Sequence, residues 1–330
     1  MRRRDLLCSV GGAAIGLSLP RAGSAQQPQR LPKIGVLWHA DSAEGEGANY
    51  QGLVDGFRAL GYVDGKTISL LHRFPNEDPE KFRSMAAELV ASGISVLIAI
   101  GANAAPYAKS ATKAIPVVFA LVSDPIGSNL VESLARPEAN VTGLSNSARD
   151  IIGKRLELLK EMIPGLSRVA LLVNSTAKVA VGYDETFQKS TMALGLAGRV
   201  LGWRSPDELV PVFNAMKTDH MQAIVIAPDG LGFTHRDTIA KLAVAHQLGL
   251  SGWSRDILKS GALMTYGADQ QAICFRTAVF VDKLLKGAKP GDLPVEQPAK
   301  FELLINLRTA KAIGLTIPPA ILTRADDVIE

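Results

Sequence analysis

An α/β fold built as two similar halves around parallel sheets is predicted by three features of the 330-residue chain. From residue 31 onward, short apolar runs alternate with helical patterns, which is the signature of βαβ units around a parallel sheet. The apolar runs lack polar alternation, as expected where helices cover both faces of a sheet. A polar stretch at Ser145-Asn146-Ser147 then interrupts the series, and a second set of strands and helices begins beyond it.

Residues 33–38 (KIGVLW) read as the first strand. Asp78-Pro79 caps a helix whose Phe82, Met85, Ala86 and Leu89 share one face. Residues 96–100 and 117–120 are interior strands, and a further strand ends at Gly143. After the break, Ile152, Leu156, Leu159 and Ile163 line a helix that Pro164 stops. Residues 169–173 and 223–227 are the next interior strands. The spacing of Ile239, Leu242, Ala243 and His246, and that of Ile273, Phe280 and Leu284, predicts two more helices.

The first 25 residues read as an export leader. Arg2, Arg3 and Arg4 form a basic head, residues 6–19 a short apolar stretch, and Gly23-Ser24-Ala25 a small-residue cleavage site ahead of Gln26. The stretch is too short to span a bilayer. Arg3-Arg4-Asp5-Leu6-Leu7 looks like a twin-arginine signal, with the ordinary secretory route as the alternative. Cys8 lies at the start of the apolar stretch, where a lipid-attachment cysteine is not expected.

Removing four basic residues (Arg2, Arg3, Arg4, Arg21) and one acidic residue (Asp5) takes the formal charge from +4 to about +1. The mature part has no Lys/Arg run, so a nucleic-acid partner is not expected. Cys274 alone remains of two cysteines, so no internal disulfide can form and stability must come from core burial.

Signatures of catalysis are sparse. Gly143-Leu144-Ser145-Asn146-Ser147 ends in serine and is no nucleophile elbow, and there is neither a Walker loop nor an H-E-x-x-H pair. The five histidines, His39, His72, His220, His235 and His246, lack helical ligand spacing, so no metal site is expected. Gly45-Glu46-Gly47-Ala48-Asn49-Tyr50 has tyrosine where a dinucleotide loop needs its third glycine, and no cofactor is expected.

Strand ends carry the candidate binding residues: Gly101-Ala102-Asn103 and Ser123-Asp124-Pro125 in the first half, Asn174-Ser175-Thr176 and Pro228-Asp229-Gly230 in the second. Carboxyl ends of parallel strands and the helix N-termini that follow are where ligands bind, and two such edges facing each other make a cleft. His39 follows a buried strand within Trp38-His39-Ala40-Asp41 and either lines that cleft or serves its loop. His246, on an apolar helix face, reads as a core residue. Trp253 and Tyr266 are core packing or an aromatic platform. Asp229, held between Pro228 and Gly230, either caps the following helix or pairs with a ligand ammonium.

Several segments give the chain a family resemblance. These are Pro116-Val117-Val118-Phe119 with Ser123-Asp124-Pro125-Ile126-Gly127, Arg136-Pro137 with Asn140-Val141-Thr142-Gly143, Tyr266-Gly267-Ala268-Asp269, Lys286-Gly287-Ala288-Lys289-Pro290, Leu293-Pro294-Val295-Glu296-Gln297-Pro298, Ile305-Asn306-Leu307, Ala310-Lys311-Ala312-Ile313-Gly314-Leu315 and Ile317-Pro318. Over essentially its whole mature length the chain resembles the periplasmic substrate-binding proteins of ABC importers, in the subfamily that includes tryptophan- and aromatic-amino-acid-binding members.

That resemblance implies a periplasmic binding protein type I fold, with two Rossmann-like lobes and three crossing segments near 144–148, 254–259 and 301–307. Residues 31–145 and 260–300 would form the first lobe, and 146–259 and 301–330 the second. Carried over by position, the pocket would use Trp38, His39, Asp41, Gly101, Ala102, Asn103, Ser123 and Asp124 from the first lobe and Ser145 from the hinge. Asn174, Ser175, Asp229 and Trp253 would come from the second lobe, and Tyr266 from the returning segment. Backbone N–H groups at Ala102 and Asn103 with Ser123 would suit a carboxylate, and Asp229 an ammonium.

The expectation is a non-enzymatic, monomeric, extracytoplasmic receptor that closes on a small molecule, an amino acid or aromatic compound being the implied ligand, and delivers it to an inner-membrane ABC permease. The alternatives are a secreted α/β hydrolase-type enzyme using Asp124, His39 or Asp229, and a ligand sensor for a membrane receptor.

Overall fold

The computed structural model describes residues 31–137, 139–176 and 180–330. The leader, residues 1–25, lies outside the described residues. Five strands form the first sheet: β1 (Lys33–Leu37), β2 (Ser69–Arg73), β3 (Val96–Ile100), β4 (Val117–Val122) and β5 (Val141–Ser145). They are parallel and ordered β2-β1-β3-β4-β5, with Ile34 beside Val96, Leu97 beside Val117 and Val117 beside Val141. β3 and β4 are buried at every position, which is why their sequences are continuously apolar.

The second sheet contains β6 (Arg168–Asn174), β7 (Ala197–Trp203), β8 (Ala223–Ile226), β9 (Gly249–Gly252), β10 (Met264–Gly267), β11 (Glu302–Asn306) and β12 (Asp327–Ile329). Its order is β12-β11-β10-β9-β8-β6-β7, and every pairing is parallel except β10 with β11. Apolar clusters cover both faces of each sheet. The chain thus forms two α/β lobes.

In both lobes the first strand sits between its two successors, so the sheet order reverses around β1 and around β6. Crevices at such reversals open beyond the carboxyl ends of the strands. This topology points the exits of β1, β3, β6 and β8 toward the space between the lobes.

The helices follow the apolar spacing. Helix Pro79–Ala91 starts at Asp78, whose carboxylate accepts from Glu80 N at 2.9 Å and Lys81 N at 3.2 Å, and it buries Phe82, Ala86 and Leu89. Helix Gln270–Leu285 packs on helix Ala48–Ala59 of the first lobe. Gly52 and Gly56 allow this close approach, since a Cβ at either would press on the Gln271 or Phe275 carbonyl oxygen.

Two of the expected crossings, and the domain boundary at 260, need correction. Residues 254–259 do not cross: Ser254 caps the short helix Arg255–Lys259, which stays with the second sheet. β10 pairs with β9 and β11, so the chain returns to the first lobe only after Gly267. β11 likewise belongs to the second sheet, which puts the last crossing between Glu296, bridged to Leu144, and Glu302. The first crossing follows Ser145 at the end of β5. Three segments therefore join the lobes, two of them displaced from the expected residues because strand pairing claims 264–267 and 302–306.

Candidate functional site

The pleat of β1 decides which side chain reaches the cleft. Trp38 is fully buried in the first lobe, stacked on Phe74 at 6.1 Å with its Nε1 donating to His72 Nδ1 at 2.9 Å. The next residue, His39, points the other way and stands between two glutamates. Its Nε2 lies 3.2 Å from Glu46 Oε2 and its Nδ1 lies 3.5 Å from Glu77 Oε1. Glu46 also accepts from the backbone N–H groups of His39 (3.0 Å) and Ala40 (2.8 Å), fixing the loop that leaves the strand.

Glu77 is held by a turn that returns to the same strand exit. Asn76 N donates to Ala40 O at 3.1 Å and Glu77 N to His39 O at 3.0 Å. Asn103, at the exit of β3, donates through Nδ2 to Glu77 Oε2 at 2.6 Å. Gly101 has φ 96, and a Cβ there would come within 3.2 Å of the His39 ring, so a glycine keeps the imidazole in place.

From the second lobe, Asp229 follows β8. It caps the short helix Gly230–Thr234 through Oδ1, which accepts from Gly232 N at 2.9 Å, while Oδ2 has no hydrogen-bond partner. Phe233 meets the His39 ring edge-on at 5.5 Å. A Cβ at Gly230 would overlap Glu77 Oε1. The lobes therefore touch across the strand ends, around a cavity lined by His39, Asn49, Gly101, Ala102, Leu121, Asn146, Asp229, Phe233, Trp253 and Gln270. Beside it, the Tyr183 hydroxyl donates to Ser123 Oγ at 2.6 Å, and Arg149 pairs with Asp124 at 2.5 Å.

Burial dominates the electrostatics. It pushes the Glu46 carboxyl up to about 7 against two backbone N–H groups, and Glu77 up to about 7 against His39 and Asn103. Burial pushes Asp229 up to about 6, opposed by the Gly232 N–H, the Asn174 side chain and the Leu231 N–H. Burial holds the His39 imidazole below its usual range, with Glu77 pulling the other way. Of these four groups, none has an ion-pair partner among the described lysines and arginines.

Of the residues expected at a pocket, His39, Gly101, Ala102, Asp229 and Trp253 line the cavity, and Asn103 stands behind it on Glu77. Trp38 lies in the core, and Asp41 is exposed and held by Ser42 Oγ at 3.0 Å. Ser123 and Asp124 are occupied by Tyr183 and Arg149. Ser145 accepts from Ser147 N at 3.0 Å within the first crossing. Asn174 caps Thr176 at 2.9 Å and its side chain also stands against the Asp229 carboxyl, while Ser175 is exposed. Tyr266 packs near Phe301, and its carbonyl accepts from Arg155 Nε at 2.9 Å.

Glu46, Glu77, Asn49, Phe233 and Gln270 belong to the site or its contacts without being expected there from the sequence. Glu46 lies inside the rejected glycine stretch, and Glu77 directly precedes a helix cap. Neither position carries a local signal of burial. Among the described residues there is no cluster of metal-ligating side chains, and no helix is long and apolar enough to cross a membrane.

Two α/β lobes thus bring their strand ends to a shared cavity, and a family model says what kind of protein is built this way. The model for ABC transporter substrate binding proteins matches residues 33–329. The chain belongs to this family. The substrate-binding protein is 25% identical to a tyrosine-binding protein of Clostridioides difficile (strain R20291) over 268 residues, 80% of this chain and 76% of that one. It is similar to an ABC domain from Streptococcus pneumonia solved in complex with L-Trp, with a TM-score of 0.84 and 29% identity over 91% of this chain and 100% of that one. A conserved domain protein from Vibrio cholerae matches over the same shares with a TM-score of 0.85 and 28% identity. The fold is that of the type I periplasmic binding proteins.

Proposed function

We propose that the substrate-binding protein is an extracytoplasmic, non-enzymatic receptor that takes a small molecule into the interlobe cavity and delivers it to an ABC permease. The observation that carries this reading is that His39 from one lobe and Asp229 from the other line a common cavity, with Glu77 behind it against His39 and Gly230. The three crossings act as the hinge, and closure presents the form the permease recognises. The receptor works as a monomer.

The ligand is an amino acid or an aromatic compound. Relatives that bind tyrosine and L-Trp support this, as do Trp253 and Phe233 in the cavity wall. Asp229 Oδ2 takes the ligand's ammonium. A thermal-shift screen of amino acids, aromatic acids and sugars on the mature protein tests the reading. Saturation at a hundred times Kd adds about 2.7 kcal/mol, a clear rise in the midpoint. A midpoint unmoved by every compound would overturn it.

Residues 1–25 direct export, and the mature chain begins at Gln26. Intact-mass measurement of the periplasmic protein checks the cleavage site, and a soluble chain retaining the leader would contradict it. Replacing Arg3 and Arg4 with lysine blocks export if the twin-arginine route is used.

A further inference from the structure

The turn carrying Glu77 is unusual in its backbone. Asn76 and Glu77 both have φ 57, a region that side chains other than glycine rarely adopt. It is over-determined by the two N–H bonds onto His39 O and Ala40 O. The result is a carboxyl group driven into the contact between the lobes, its side chain only 8% exposed. Asn103 occupies Oε2, and Oε1 has no hydrogen-bond partner. It faces His39 Nδ1, which also lacks one, and lies against Gly230 of the other lobe.

Asp229 is the neighbour of Gly230 and presents a similar picture from its own side. The residue is 9% exposed, with one oxygen engaged by Gly232 N and the other free. Two carboxyl groups, one from each lobe, thus keep unpartnered oxygens near one another: Asp229 lines the cavity, and Glu77 stands at its neighbour Gly230, close enough to feel the Asp229 charge. A third, Glu46, stands behind His39. Among the described residues, no lysine or arginine side chain forms an ion pair with any of the three. Buried carboxylates without a counter-charge are unfavourable, and bringing two of them together by closing the lobes adds their mutual repulsion.

We infer that Glu77 and Asp229 form a cross-lobe clamp for a cation, so that the ligand is a compound bearing an ammonium or guanidinium group. This rests on reading the cavity as the solute site. A cation between the two oxygens relieves both groups at once, and it does so only when the lobes are together. Its greater affinity for the closed arrangement is what draws the lobes shut. The positive charge is therefore the required feature of the ligand, and the ring or chain that fills the rest of the cavity is secondary.

The test uses the mature protein and two matched sets of probes. Tyramine, L-tyrosine and 3-(4-hydroxyphenyl)propionate share one skeleton, and cadaverine, L-lysine and hexanoate share another. Calorimetry and thermal shift are expected to show binding only by amine-bearing members. Glu77→Gln and Asp229→Asn should each weaken the best binder by about tenfold or more. Binding of either amine-free acid as tight as that of its amine-bearing counterpart would overturn the inference and leave the receptor reading standing. Silence from all six probes would also overturn it, whereas the receptor reading falls only with a wider panel of amino acids, aromatic acids and sugars. A normally melting Glu77→Gln that binds within about threefold of wild type would remove Glu77 from the clamp. If that variant melts poorly, Glu77→Asp keeps the charge but shortens the reach, with the same loss expected and the same outcome overturning it.

Discussion

Tyr183 of the second lobe donates a 2.6 Å hydrogen bond to Ser123 of the first, so a side-chain latch closes the contact beside the cavity. Tyr183 is buried, and burial raises its hydroxyl well above the usual phenol range, so the group remains a donor throughout the working pH range. Tyr183→Phe removes the latch and little else. Ligand affinity should fall by about 0.5–1.5 kcal/mol, measured by calorimetry, with an unchanged melting curve. An unaltered affinity would mean that the latch is an incidental contact.

Gly230 is a second lever on closure. Its φ is not positive, so alanine suits the backbone, yet the added Cβ would overlap Glu77 Oε1. Gly230→Ala should fold normally and hold the lobes apart, with a larger radius of gyration by small-angle scattering in saturating ligand than wild type. Full compaction of the variant would show that Glu77 moves aside freely.

Acidity should stabilise the protein in the absence of ligand. Glu46, Glu77 and Asp229 are raised to about 7, about 7 and about 6, so between roughly pH 4.5 and pH 7 the folded chain holds protons that the unfolded chain has released. Stability from these groups is present at the acid end and is lost as pH rises through that window. His39, lowered by burial, works in the opposite sense, and Arg236 and Asp41 exert weaker fields on the cluster. His72 and His235, also lowered by burial, side with His39, and Asp150, raised by burial, sides with the carboxyls. The three large upward shifts predict a melting temperature that falls from pH 5 to about pH 7.5. A rising one would contradict this account of the cluster.

The contact of helix Ala48–Ala59 with helix Gln270–Leu285 ties the returning chain to the first lobe. Gly56→Ala places a methyl group against the Phe275 carbonyl oxygen, which backbone movement alone can relieve. Urea denaturation should show a loss of about 1–3 kcal/mol. A neutral effect would mean that the helix pair is looser than its geometry.

The interior of each sheet is readable in the sequence because β3, β4 and β8, and β6 from Val169 to Val173, are covered on both faces and hence apolar. The edge strands β2 and β7 are only partly buried and carry no such run. β10 has four residues, and nothing within Met264-Thr265-Tyr266-Gly267 announces that its partners are β9 and β11. That silence displaced the expected domain boundary.

In the cavity, His39 and Asp229 were legible because they leave buried strands. Trp38 was one residue out of phase, since successive side chains of a strand face opposite sides. Glu77 was not legible at all. Its burial arises from a loop docking onto the carbonyl oxygens of His39 and Ala40, a tertiary event without a sequence pattern.

The central claim is that a small molecule is held between the lobes with its cationic group on Asp229. Calorimetric titration of wild type and Asp229→Asn, using the best binder from the screen, tests it most directly. The account predicts a folded variant weakened by about 2–5 kcal/mol, because the partner charge is left buried without its counter-ion. Affinity within about threefold of wild type would contradict it and leave Asp229 as only the cap of the helix that follows.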